Sequence, residues 1–144
     1  MPAPQPAHTS ARSKARKRAL DVLFASELRG EDPVVALDRA ISEGEGPTND
    51  YTGFLVRGVT ERREQIDEAL STYAEGWTLA RMPAVDRNVL RIGAFEVLWV
   101  DDVPDPVAVT EAVALVRDLS TDESPGFVNG VLGAVLRNKD ALTR

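Results

Sequence analysis

The chain contains no cysteine, which excludes disulfides and thiolate metal sites. Histidine occurs once, as His8, inside a Pro/Ala-rich opening stretch. A nucleophile–histidine pair is therefore missing, as are a phosphate-binding glycine loop and a metal-ligand cluster. Neither an enzyme nor a bound cofactor is expected. No apolar run approaches the roughly 20 residues that a membrane span requires. The first ten residues, MPAPQPAHTS, lack the apolar stretch of a secretory signal, so the expected compartment is the cytoplasm. Aromatic residues make up only 6% of the chain, and each one therefore merits a reason.

What is present is 144 residues, enough for one domain with a sizeable core. Net charge is −6, which alone disfavours a nucleic-acid ligand. Its distribution argues differently. Residues 1–30 carry six Lys/Arg against two Asp/Glu, and residues 31–144 carry eleven against twenty-one. An acidic body with a basic N-terminal arm suggests an electrostatic partner for the arm.

Residues 1–9 are too polar and proline-rich to bury much and are expected to be a disordered tail. Ser10 is a suitable N-cap for a helix running to Arg29 and stopped by Gly30. Its core stripe is Ala15, Ala19, Val22, Leu23 and Ser26. Asp32-Pro33 opens a second helix with the stripe Val34, Leu37 and Ile41, and SEGEGPTN (42–49) is a loop. Tyr51, Phe54, Leu55 and Val59 mark a third helix and Ile66, Leu70 and Tyr73 a fourth, with a kink or fresh start near Thr60-Glu61. DDVPDP (101–106) is a turn. Ala108, Ala112, Leu115, Val116 and Leu119 define a sixth helix. Ser124-Pro125 reads as an N-cap with an N1 proline for a seventh, ending at about Arg137.

The fifth helix, entered through Pro83 and running from Val85 to Trp99, is apolar nearly all round, which marks a helix buried on most of its surface. Asp86, Arg91 and Glu96 interrupt it. Glu96 shares a side with Val89 and Ile92 and so requires a buried partner. Asp86 and Glu96 lie about 15 Å apart along the axis, too far to act on one bond. Asp86 reads as a helix-start or partner-facing charge. The pattern predicts an all-α protein of about seven helices, a single domain over 10–138 with two small packed subdomains, roughly 10–75 and 77–138.

Two constellations stand out. Arg12, Lys14, Arg16, Lys17 and Arg18 place five cations in seven residues with no acid among them. Phe24 and Leu28 lie on the side of Lys14 and Lys17. Phosphates need cations and unstacked bases need a π surface, so this face suits RNA. The plain alternative is a solvated helix start with Phe24 packed on a neighbour. Cations at a helix N-terminus oppose the macrodipole, so the cluster does not serve helix stability. The second constellation is the last helix. Gly126, Gly130 and Gly133 gather opposite its core stripe, each interior glycine costing about 1 kcal/mol relative to alanine, which points to close backbone approach, preferably inside the fold. Phe127 sits at the edge of the apolar stripe, with Glu123 and Ser124 at the helix entrance.

KARKRALDVLF (14–24), Y-x2-FLVRGV (51–59), WTLARMPAVDRNVLRIGAFEVLW (77–99), P-x-PVAVTEAVALVRDLS (104–120) and SPGFVNGVLGAVL (124–136) together resemble the bacterial NusB family of transcription antitermination factors. The resemblance covers nearly all of the chain after residue 10. It implies a two-part helical fold, binding of boxA RNA in nascent ribosomal RNA transcripts, a heterodimer with the ribosomal protein NusE, and a place in the RNA polymerase antitermination complex. It implies that Arg12, Lys14 and Arg16 contact RNA within the arm that also holds Lys17 and Arg18, with Phe24 nearby. Asp86 corresponds to an acidic contact for NusE, and Glu123 and Phe127 to positions close to both ligands. Some members self-associate, and the sequence leaves monomer and homodimer open. The main rival reading is an acidic helical scaffold that binds protein and not RNA.

Overall fold

The computed structural model describes residues 10–143, so the expected N-terminal tail and His8 lie outside the described residues. These fold into eight α-helices and one 3-10 turn. The helices are α1 (Ala11–Arg29), α2 (Pro33–Ser42), α3 (Asp50–Glu61), α4 (Arg63–Tyr73), α5 (Ala84–Trp99), α6 (Asp105–Leu119), α7 (Ser124–Arg137) and α8 (Lys139–Leu142). The turn spans Leu79–Arg81. The short α8 is one helix more than the hydrophobic pattern indicates, because four residues show no periodicity.

Local chemistry sets most boundaries. The Ser10 side chain accepts from the Ser13 amide, and Gly30 takes the left-handed conformation (φ 63°) that closes α1. Asp32 caps the Val34 and Val35 amides ahead of Pro33. Asn49 caps the Tyr51 amide. The break between α3 and α4 falls at Arg62.

α5 is the axis. Among its residues Val89, Leu90, Ile92, Ala94, Phe95, Val97 and Leu98 are all buried, and α1, α3, α4, α6 and α7 pack around it. α1 lies antiparallel to α5, since Arg16 meets Glu96 while Glu27 meets Arg87 and Asn88. α3 runs alongside α1, with the Thr52 hydroxyl donating to the Ala15 carbonyl.

Three sequence readings are corrected. Ser124 is the first residue of α7, not its cap, and Glu123 holds the N-cap position without a side-chain bond. Ile41, assigned to a core stripe, is exposed. The α7 glycines make no close internal approach: a Cβ on Gly126 or Gly130 would meet nothing within 4 Å, and one on Gly133 only an Arg137 nitrogen. The tight glycines are elsewhere. A Cβ on Gly58 would overlap the Phe95 ring, and one on Gly93 would come within 2.6 Å of Leu132.

Candidate nucleic-acid interface

α1 turns Ser13, Ala15, Arg16, Ala19, Leu20, Leu23 and Ser26 inward. The remaining helical phase leaves Lys14, Lys17 and Arg18 exposed, and they form no ion pair among the described residues. Lys14 and Arg18 are one turn apart and line a groove of about 180 Å³ against Pro47, Thr48, Asn49 and Thr52. No acid lines that groove, so it presents cations and neutral hydrogen-bonding groups to an anion. Phe24 is half-buried about two turns beyond Lys17. Arg12 is partly exposed, ion-paired to Asp102 at 3.0 Å and stacked 4.2 Å over the Tyr51 ring.

Arg16 does not belong to this face. It is 3% exposed. Its Nε donates to both Glu96 oxygens (2.9 and 3.0 Å) and its Nη1 to Glu111 (3.0 Å). The Tyr51 hydroxyl also donates to Glu96, and the Ser13 hydroxyl to Glu111. The sequence reading of Arg16 as an RNA contact is therefore corrected: its guanidinium is the buried partner that Glu96 requires. Burial alone would lower the Arg16 pKa, but the bond and charge of Glu96 and the charge of Glu111 outweigh it and raise the value. Burial first, then the Glu96 carboxylate, push the Tyr51 phenol well above its ordinary range.

Asp86 is corrected in the same way. Its carboxylate is buried and accepts from the Ser120 hydroxyl (2.6 Å) and the Ser124 hydroxyl (2.8 Å). It therefore ties the start of α5 to the α6–α7 connection and offers no free surface charge. It does form the floor of a cleft of about 180 Å³ lined by Trp77, Met82, Pro83, Thr121, Glu123, Ser124 and Phe127. Glu123 is exposed at the rim and Phe127 is half-buried. The Phe127 ring stands edge-on to Trp77 at 6.0 Å, and Trp77 is 51% exposed. The cleft thus joins an apolar wall to the Glu123 carboxylate at its rim, which suits a partner segment carrying both apolar and cationic side chains. It lies at the Asp86 end of α5, whereas Arg12 and Arg16 lie at the Glu96 end, about 15 Å away along the axis.

Sequence reasoning missed a third feature. Arg87 donates to Glu27 (2.8 Å) and to the Leu79 and Met82 carbonyls, Asn88 donates to Glu27 (2.9 Å), and Arg91 forks onto Asp67 (2.9 and 3.1 Å). Burial would raise the Glu27 pKa, but the bonds from Arg87 and Asn88 and the nearby Arg91 hold it below the usual carboxylate range. The polar residues of VDRNVLR therefore pin α1, α4 and the 3-10 turn to α5. The available signal was a group of ions on an otherwise apolar helix.

Comparison with known proteins agrees with this architecture. The NusB family model matches residues 13–137. A transcription antitermination protein NusB from Nocardioides sp. is 74% identical, the match covering 92% of this chain and 98% of that protein. Its counterpart from Saccharopolyspora erythraea is 59% identical, with 92% and 90% covered. The solved structure of T. maritima NusB superimposes with a TM-score of 0.77 at 30% identity, covering 94% and 93% of the two chains. A structure of the antitermination factors NusB and NusE in complex with dsRNA gives a TM-score of 0.75 at 29% identity, covering 88% and 96%. Among the described residues no helix is long and apolar enough to cross a membrane. With a family match across almost the whole helical body and high identity over nearly the full length of its relatives, the chain belongs to the NusB family of transcription antitermination proteins.

Proposed function

We propose that this chain is a non-catalytic, cytoplasmic RNA-binding factor that engages boxA RNA of nascent ribosomal transcripts together with NusE and helps RNA polymerase resist termination. The observation that carries this reading is the outward face of α1. Lys14, Lys17 and Arg18 are exposed and unpaired among the described residues, and no acid occurs between Ala11 and Leu20. Such a face neutralises phosphates in an otherwise acidic protein. Arg12 serves at the edge of this face, and Phe24 supplies an aromatic surface beside it. The cleft of Trp77, Glu123 and Phe127 is the seat for NusE, whose basic character fits the acidic body.

The test is a titration of boxA RNA and unrelated RNA with wild type and with a Lys14→Ala/Lys17→Ala/Arg18→Ala variant, with and without NusE, at several salt concentrations. The variant should bind more weakly, with the salt slope reduced by roughly 0.7 for each lost phosphate contact. Unchanged affinity and slope would remove α1 from the interface and favour the scaffold reading.

A further inference from the structure

α3 and α5 share a continuous aromatic row that the sites above do not use. Tyr51 and Phe54 lie nearly parallel with ring centroids 5.6 Å apart. Phe54 meets Phe95 at 5.6 Å, and Phe95 meets Trp99 at 6.3 Å. A guanidinium closes each end: Arg12 lies 4.2 Å over Tyr51 and Arg62 lies 4.6 Å over Trp99. Tyr51 and Phe95 are buried, Trp99 is half-buried, and Phe54 is 47% exposed at the centre. In a chain with 6% aromatics, four rings in one row with an inner member, Phe54, open to solvent is not a minimal way to fill a core. Gly58 permits the arrangement, since any side chain there would displace Phe95.

From these contacts we infer that Phe54 is a base-stacking platform for a single-stranded stretch of the RNA, flanked by Arg12 and Arg62 as phosphate contacts. This rests on the RNA-binding reading above and extends the track beyond α1. Two arguments select RNA as the occupant. Arg12 belongs both to this row and to the cationic start of α1, so the two surfaces are continuous. A π face between two cations also matches the alternation of base and phosphate along a single strand. From Tyr51 to Arg62 the row extends about 17 Å along α3, the length of about five nucleotides at ~3.4 Å each, with Phe54 as its exposed ring. Arg12 is now paired with Asp102. That exposed pair contributes little, so a phosphate can take the guanidinium from it.

The experiment compares wild type, Phe54→Ser and Phe54→Leu in titrations with RNAs of about six and about twelve nucleotides, the longer able to reach beyond α1. Both variants should bind the longer RNA about five- to thirtyfold more weakly. The short RNA should bind as before, and the salt slope should not change because no phosphate contact is lost. Phe54→Leu keeps the apolar bulk and guards against a folding defect. Normal binding of the long RNA by Phe54→Leu would overturn the platform. So would conversion of a sedimenting dimer to monomer by Phe54→Ser with RNA binding intact, which would make the patch a contact between copies. Failure of wild type to bind either RNA would overturn both this inference and the α1 reading, whereas loss of binding in the α1 variant with normal Phe54 variants would overturn this inference alone.

Discussion

Removing Glu96 tests the reassignment of Arg16 from ligand contact to core. In the native protein Glu96 accepts two bonds from the Arg16 Nε and one from the Tyr51 hydroxyl, all buried. Glu96→Ala strips Arg16 of one of its two carboxylates and leaves the Tyr51 hydroxyl unpaired. Breaking a buried ion pair costs about 3–5 kcal/mol. Glu111 still holds the Arg16 Nη1, which moderates the charge penalty, while the orphaned hydroxyl adds about 1–3 kcal/mol. A loss of about 4 kcal/mol follows, lowering the melting temperature by about 10–20 °C. Arg16→Ala should be at least as damaging, because two buried carboxylates then face each other without their cation. Like charges raise a carboxyl pKa in the folded state. Such a group contributes stability at low pH that disappears as pH rises through the raised folded pKa, so Arg16→Ala should recover part of its deficit on mild acidification. The double variant should lose less than the two singles together. Urea melts at several pH values measure all three. Refolded Arg16→Ala, assayed below its melting temperature, should keep the wild-type salt slope for RNA. A stability loss below about 0.5 kcal/mol for either single variant, or a reduced salt slope in Arg16→Ala, would refute the core assignment.

The phenol of Tyr51 is held protonated in the folded state, so it contributes stability below the unfolded value of about 10, and that stability is lost as pH rises toward the higher folded pKa. Ultraviolet titration should show Tyr51 ionising only with alkaline unfolding, and Tyr51→Phe should remove that step. Gly58→Ala should cost about 1–3 kcal/mol in denaturant melts, since the new methyl must displace a buried ring. Gly130→Ala should instead stabilise by about 0.5–1 kcal/mol, because open space surrounds the site and alanine favours the helix. Phe127→Ala should melt within a few degrees of wild type yet bind the NusE–RNA pair about tenfold more weakly, an interface loss of about 1.4 kcal/mol; a large melting shift with normal binding would make it a core residue.

The fold was legible where its causes are local. Caps at Ser10, Asp32 and Gly30 mark helix ends within a residue, and the all-round apolar pattern of 85–99 identifies the axis, because each signal lies within one turn of its effect. What escaped depends on pairs distant in sequence. Glu96 was recognised as needing a partner, but nothing within α5 reveals that the partner lies 80 residues earlier. Asp86 looked like a surface charge at a helix start, and only the fold brings Ser120 and Ser124 beneath it. Gly58 and Gly93 matter through rings and methyls on other helices, whereas the conspicuous glycines of α7 face open space.

Arg16 shows how the two kinds of information separate within one motif. In the structure it shares the buried phase of Ala19, Leu20 and Leu23, whereas its membership of a basic run argues for the surface, which is how the sequence alone reads it. The buried bonds decide for the core, and they do more than stabilise it. Together with Ala15, Ala19, Leu20 and Leu23, which bury the same side of α1, the Arg16–Glu96–Glu111 cluster leaves Lys14, Lys17 and Arg18, one or two positions to either side, to project outward together. A basic run of this kind therefore contains two populations under different constraints. Substitution of Arg16 by lysine, which keeps the charge but not the fork that spans two carboxylates, should disturb stability, whereas the same exchange at Arg18 should leave both stability and phosphate affinity nearly unchanged.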